Sequence, residues 1–215
     1  MEKIEHIIAE PPIYIGIHIK DEDIVKSLIS ECFNQTFKSL GSTDTFISTL
    51  NMSLTADQDF VFPPDFHVTL SFFGGDLAKY TYHPLVTSGV FQEDQPVSLS
   101  ILAFVIAPSK IMTALVKIND VNVTSDNEFA HITLMVGQWK PVQSNFILKA
   151  LFNEKYGLMR DLHQWLQQQT EVSEDITEKV CVNMGPKEGD CECYIVVPAG
   201  APIEIEGYMK SYFSF

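Results

Sequence analysis

Two short motifs of the same pattern hold the residues best suited to chemistry in this 215-residue chain. They are residues 67–70 (HVTL) and residues 131–134 (HITL), 64 positions apart, and both read His-x-Thr-Leu. Side chains alternate between the two faces of a β-strand, so the His and Thr of each motif would share one face while the apolar residues point into a core. For one motif alone, a strand histidine bonded to the neighbouring Thr is the better interpretation. The repetition of the motif favours a functional pair lining a cleft.

Two histidines on facing strands can act as an acid and base pair. The ordinary imidazole pKa of about 6.5 lets one neutral ring accept a proton while a second, protonated ring donates one. On a 2′,3′-cyclic phosphate, the neutral His would take a proton from the attacking water, and the protonated His would protonate the departing ribose oxygen. Thr69 and Thr133 would donate hydrogen bonds to the non-bridging phosphate oxygens. This chemistry needs no metal ion and no other cofactor.

The paired motifs resemble those of the two-histidine phosphoesterase superfamily, also called LigT-like. It includes RNA 2′,3′-cyclic phosphodiesterases, the cyclic phosphodiesterase domain of fungal-type tRNA ligases, and enzymes that cleave 2′,5′-oligoadenylate. The resemblance implies a bilobal α+β fold with pseudo-twofold symmetry, in which two mainly antiparallel sheets flank a central cleft and helices lie outside. It also implies that His67 and His131 are catalytic, that Thr69 and Thr133 bind the substrate phosphate, and that no metal takes part. Residues 135–136 (MV) depart from the Arg that many bacterial members carry after the second motif, which leaves the substrate open.

Patterns along the chain place both motifs on strands of one α+β domain, residues 1–215. Strand patterns occupy residues 13–19, 45–50, 66–73, 97–106, 113–118, 130–136, 180–183, 193–197 and 203–208. Helical spacing marks the segment from Asp21 to about Leu40, then residues 142–152 and 158–169. The short links between many of the strands favour largely antiparallel pairing.

The composition limits the kinds of partner and compartment. Apolar residues make up 46% of the chain and charged residues 20%, which is typical of a globular protein with a real core. No segment approaches the roughly 18 to 20 apolar residues of a membrane helix, and the N-terminal region has no signal-peptide pattern. We therefore expect a cytoplasmic or nuclear protein. The formal net charge of −14 opposes binding to duplex DNA, whereas a pocket could still take a small nucleotide or an RNA end.

The four cysteines carry no pattern that indicates a metal site or a catalytic thiol. They are Cys32, Cys181, Cys191 and Cys193. Without a secretory context we expect reduced thiols, and the Cys-x-Cys spacing lacks the second ligand pair of a zinc site.

Several other residues near the motifs are candidates for contacts with the base or phosphate. Stacking of a base on an aromatic side chain contributes about 1 to 3 kcal/mol. Tyr14, Phe73 and Trp139 are the aromatic candidates, and Lys140 could add a positive charge. For Phe73, in a chain with 15 Phe residues, core packing is the better interpretation. Asp65 could orient the first imidazole, although loop carboxylates are normally solvated.

Taken from the residues and the resemblance, the expected function is a metal-independent phosphodiesterase that hydrolyses 2′,3′-cyclic phosphate at RNA ends or in cyclic nucleotides, in RNA processing or repair. One alternative is a 2′,5′-phosphodiesterase acting on oligoadenylate-type signalling nucleotides. Another is a non-catalytic nucleotide-binding module, against which the intact His and Thr of both motifs count. We expect a monomer.

Overall fold

A computed structural model describes residues 10–40, 60–107, 109–152, 178–183 and 191–213. The strands in these ranges are β1 (Tyr14–Ile19), β2 (His67–Phe72), β3 (Pro96–Ala107), β4 (Ile111–Ile118), β5 (His131–Val136), β6 (Glu178–Asn183) and β7 (Cys191–Tyr212). The helices are α1 (Glu22–Leu40), α2 (Leu77–Thr81), α3 (Pro84–Thr87) and α4 (Gln143–Phe152). No helix within the described ranges is long and apolar enough to cross a membrane.

The described strands form one antiparallel sheet in the order β1-β2-β5-β4-β3-β7-β6. An additional pairing between β1 and β7 closes the first six of these strands into a barrel-like circuit, and β6 extends the sheet from β7. The prediction of an α+β fold with antiparallel pairing is therefore confirmed. The expected division into two sheets and two lobes is not, because β7 pairs with both β3 and β1 and joins the strands into a single sheet.

Local sequence patterns account for most of these elements. Helix α1 begins after Asp21, whose carboxylate accepts hydrogen bonds from the backbone N–H groups of Asp23 and Ile24 at 3.1 and 3.2 Å and so caps the first turn. The two C-terminal strand patterns, residues 193–197 and 203–208, lie within the single long β7. Two short helices, α2 and α3, were not predicted. The predicted strand at residues 45–50 and helix at residues 158–169 lie outside the described residues.

Two apolar clusters hold the sheet, and β3 and β4 contribute residues to both. The larger cluster includes the apolar residues of both motifs, all 0% exposed: Val68, Leu70, Ile132 and Leu134. Residues of α1 belong to the same cluster. The smaller cluster is formed by residues of β3 and β4 packed against α4. Burial of one face of β2 and β5 therefore fixes the opposite face for the His and Thr side chains.

Gly207 lies where β7 approaches β1 most closely, and Gly207→Ala is expected to destabilise the fold. An added Cβ would lie 2.6 Å from the carbonyl oxygen of His18 and 2.5 Å from Cγ2 of Ile17, and the carbonyl cannot move without disturbing the β1–β7 ladder. We expect the free energy of unfolding to fall by about 1 to 3 kcal/mol, as measured by urea denaturation. Glu206→Ala is the matched control, because that side chain is 71% exposed and should cost less than about 0.5 kcal/mol. Equal stability of the Gly207 variant and wild type would contradict this account of the close approach.

Candidate active site

The pairing between β2 and β5 brings the two motifs onto one surface. Val68 and Ile132 are partners in the antiparallel ladder. Continuing that register by one residue in each direction puts His67 beside Thr133 and Thr69 beside His131, with Cβ atoms of such neighbours about 4.5 to 5.5 Å apart. All four side chains are partly exposed, while the alternate positions on both strands are buried. The four motif side chains therefore lie together on the face opposite the larger core cluster.

Two walls flank this group. Along β2, the rings of Tyr14 and Tyr212 stack on each other with centroids 4.3 Å apart. Their centroids lie 5.1 and 5.2 Å, respectively, from the centroid of the His67 imidazole. Along β5, helix α4 supplies the fully buried Ser144, whose hydroxyl shares a 3.0 Å hydrogen bond with the hydroxyl of Thr133. The motif surface thus lies between an aromatic wall and the start of a helix.

The imidazole of His67 is held by a carboxylate. Its Nδ1 lies 2.6 Å from Oδ1 of Asp65, and both side chains are 26% exposed. The hydrogen bond from His67 lowers the pKa of the Asp65 carboxyl below its usual value, although partial burial opposes this effect. Asp65 is therefore charged at neutral pH and orients the imidazole through Nδ1, so that Nε2 is the nitrogen available to a ligand.

The imidazole of His131 has a different partner. Its Nδ1 lies 2.9 Å from the carbonyl oxygen of Phe129, which can only accept, so the Nδ1 proton is fixed and the neutral ring keeps its lone pair on Nε2. Burial lowers the pKa of His131 below its usual value of 6.5, and the nearby His67 lowers it further, whereas the bond to Phe129 partly opposes these effects. His131 is therefore prepared to be neutral and to accept a proton.

The loop between β4 and β5 anchors the first motif. The Ser125 hydroxyl donates to the carbonyl oxygen of Thr69 at 2.8 Å, and the amide of Asn127 approaches the same oxygen at 3.5 Å. The Asp126 N–H donates to the carbonyl of Leu70 at 2.7 Å, and the Asp126 carboxylate accepts from Ser71. The same loop then supplies the Phe129 carbonyl, so one segment positions residues of both motifs.

Of the two aromatic candidates in the first half of the chain, Tyr14 and Phe73, only Tyr14 lies beside a motif. Tyr14 contacts His67, as described, but its side chain is only 8% exposed, so it supports the imidazole more than it offers a stacking surface. Phe73 is 3% exposed and packs in the larger core cluster against Tyr80 and His83. The ring of Phe73 therefore lies in the core and offers no face to a ligand.

The two candidates after the second motif lie toward α4. Trp139 packs against the smaller core cluster, with the ammonium of Lys110 4.8 Å from its ring centroid. Lys140 is exposed just before α4, and its backbone N–H donates to the side chain of Gln143 at 2.7 Å. Among the interactions recorded for the described residues, none joins Trp139 or Lys140 to a motif side chain.

The sequence reasoning missed the contribution of β7. Tyr208, Lys210 and Tyr212 occupy alternate positions on this strand, and β1 separates them from β2. The hydroxyl of Tyr212 lies 3.3 Å from Nδ1 of His18, and the rings of His18 and Tyr208 are 5.1 Å apart. The alternation of side-chain types over residues 204–212 indicates a strand with two different faces, but it does not indicate which strand pairs with it.

Comparison with known proteins adds a family and a structural likeness. The family model described as the fungal tRNA ligase phosphodiesterase domain matches residues 2–181. Among solved structures, a crystal structure of a fungal RNA kinase is similar with a TM-score of 0.54 and 18% sequence identity, over 95% of this chain and 46% of that chain. This likeness supports the fold, and the chain spans less than half of that relative's length. No curated protein matches.

The protonation of His131 gives a direct test of the site's electrostatics. A pH titration of its ring signals by NMR should give a midpoint below 6.5, and His67→Ala should raise that midpoint, because a neighbouring positive charge is removed. The midpoint should stay below 6.5 in this variant, since burial is the larger cause. His18→Ala is the control, as His18 is not among the groups that shift His131. A wild-type midpoint above 6.5 would contradict the assigned environment.

Proposed function

The chain belongs to the family of fungal tRNA ligase phosphodiesterase domains, and we propose that it hydrolyses 2′,3′-cyclic phosphates at RNA ends or in small nucleotides, in RNA processing or repair. One observation carries the proposal. Two histidines occupy one polar face of paired strands, and one has a carboxylate at Nδ1 while the other has a backbone carbonyl. The two rings therefore differ in the partner that holds each Nδ1, and acid–base catalysis requires two groups with different roles.

His131 is the general base in this mechanism. Its neutral form, with the Nδ1 proton held by Phe129, accepts a proton at Nε2 from the attacking water. The water oxygen forms the new bond to phosphorus as the proton moves to His131. The lowered pKa of His131 keeps the ring in the accepting form near neutral pH.

His67 is the general acid. In its protonated form, held at Nδ1 by the charged Asp65, the ring donates its Nε2 proton to the ribose oxygen as the bond from that oxygen to phosphorus breaks. Exchange of protons with solvent then restores both rings. Thr69 and Thr133 donate hydrogen bonds to the non-bridging oxygens, whose charge persists through the transition state. No metal ion takes part in this scheme.

The local symmetry of the site supports the two-lobed relationship that the superfamily resemblance implies. Because the antiparallel pair is centred on Val68 and Ile132, each His lies beside the Thr of the other motif. We propose that the two lobes correspond to the parts of the closed sheet on either side of this pair. The acidic net charge of −14 favours a compact substrate such as a nucleotide or an RNA end, acted on by a monomer in the cytoplasm or nucleus.

A substrate panel in the presence of EDTA tests the proposal. We expect hydrolysis of nucleoside 2′,3′-cyclic phosphates and of RNA with a cyclic phosphate end, and no loss of rate on chelation. Cleavage of 2′,5′-linked oligoadenylate in place of cyclic phosphates would assign the site to the signalling nucleotides instead. Tight binding without turnover of any substrate would favour a binding module. Activity abolished by EDTA and restored by a divalent cation would overturn the metal-free mechanism.

Replacing either histidine tests the division of roles. His67→Ala or His131→Ala should lower kcat by about 10² to 10⁴, which is the usual contribution of a positioned acid or base. Thr69→Val and Thr133→Val should cost less, about 10 to 10³, because each removes one donor to a phosphate oxygen and leaves proton transfer intact.

The control for these substitutions is Thr87→Val on α3, whose hydroxyl bonds only to nearby backbone carbonyls of the same short helix region. It should keep wild-type kcat. Steady-state kinetics, with circular dichroism to confirm folding, gives the comparison. Full activity in both single His variants would show that the motifs are structural.

A further inference from the structure

A second group of polar and aromatic side chains lies one strand beyond the first motif. We define the β1–β7 patch as His18, Tyr208 and Lys210. In the ladder, His18 is paired with His67 on one side and with Tyr208 on the other. In the next row along the strands, Gly16 is paired with both Thr69 and Lys210. The patch thus continues the rows that contain the first motif.

Gly16 separates Thr69 from Lys210 in this row, and it is buried. The edge of the Tyr212 ring lies 3.5 Å from where a Cβ would be at this position, so the ring covers β1 here. Neighbouring strands are about 4.8 Å apart, so the backbone of Lys210 lies about two strand spacings from that of Thr69. The ribose between a 3′ and a 5′ phosphate and the long side chain of lysine together span such a distance. A nucleotide whose 3′ side lies between β2 and β5 therefore has its 5′ phosphate within reach of the Lys210 ammonium.

Lys210 provides a positive charge at this position. No ion pair in the described ranges includes it, and its ammonium lies 6.0 Å from the ring centroid of Tyr208. By contrast, Lys20, the residue after β1, is paired with Glu206 at 3.1 Å. The pKa of His18 is lowered by burial first and by the charge of Lys210 second, which places that charge close to the motif surface.

We propose that Lys210 binds the phosphate attached to the 5′ oxygen of the ribose whose 2′,3′-cyclic phosphate is hydrolysed, an inference that rests on the proposed function. In a chain of net charge −14, a local cation is required to hold a second phosphate beside the first. Tyr208 restrains the ammonium through its ring face. The site then prefers a nucleotide with a 5′ phosphate, whether this is terminal or joins the next nucleotide, over a nucleoside cyclic phosphate with a free 5′ hydroxyl.

The preference is measured as a ratio of kcat/KM. Three substrates are compared: adenosine 2′,3′-cyclic phosphate, the same compound with a 5′ phosphate, and a dinucleotide that ends in the cyclic phosphate. Wild type should favour each phosphate-bearing substrate on the order of tenfold, the effect of one charge-assisted hydrogen bond. The ratio should fall to about 1 in Lys210→Met and be largely restored in Lys210→Arg. Lys20→Met is the matched control and should keep the wild-type ratio.

The two phosphate-bearing substrates distinguish a terminal phosphate from an internucleotide one, because a preference for the dinucleotide alone assigns the subsite to RNA. A wild-type ratio near 1 for both, or an unchanged ratio in Lys210→Met, would overturn the inference even though cyclic phosphates are hydrolysed.

Absence of turnover on every substrate would instead count against the proposed function. Calorimetric binding then tests the subsite alone. Adenosine 2′,5′-bisphosphate should bind on the order of tenfold more tightly than adenosine 2′-monophosphate, and Lys210→Met should remove the difference. Equal binding of the two ligands by wild type would overturn the inference.

Discussion

The backbone pairing of Val68 with Ile132 is the constraint on which the site depends. Within the described residues, β2 and β5 pair at this one position, whereas β3 and β4 pair at eight. Both residues are 0% exposed, so the larger core cluster holds them in place. An antiparallel pair has a local twofold axis, and this axis relates the two motifs. A shift of register by one residue would turn the four polar side chains into the core, which burial of the apolar ones forbids.

Local symmetry in the backbone is combined with asymmetry in the surroundings. His67 and His131 have the same motif and equivalent positions on paired strands, yet only His67 has a carboxylate at Nδ1. Burial disfavours the charged form of His131, whereas His67 has the charged carboxylate of Asp65 beside it. Identical residues therefore acquire different partners from the segments that precede each strand: Asp65 before β2 and the Phe129 carbonyl before β5.

The parts of this arrangement that could be predicted are those with a local cause. Strict alternation of apolar and polar residues in the motifs predicted which side chains share a face, and the cap at Asp21 predicted α1. Phe73 lies in the core because the register between β1 and β2 shifts at Ile15 and Gly16, which leaves Leu70 without a partner in β1 and reverses the alternation beyond it. Closure of the sheet and the position of Lys210 depend on which strands pair across the chain, and no local pattern encodes that.

Closure of the sheet also explains why position 16 must be glycine, although Gly16 contributes no functional group to the site. Strand β1 lies between β2 and β7. A Cβ on Gly16 would lie 2.8 Å from the carbonyl oxygen of Val68, and Val68 is the residue that pairs with Ile132. The Tyr212 ring lies 3.5 Å from the same point, so the missing side chain also lets this ring reach His67. A larger residue would therefore disturb both the pairing that aligns the motifs and the ring that supports the acid. The requirements of packing and of chemistry meet at one position that carries no functional group.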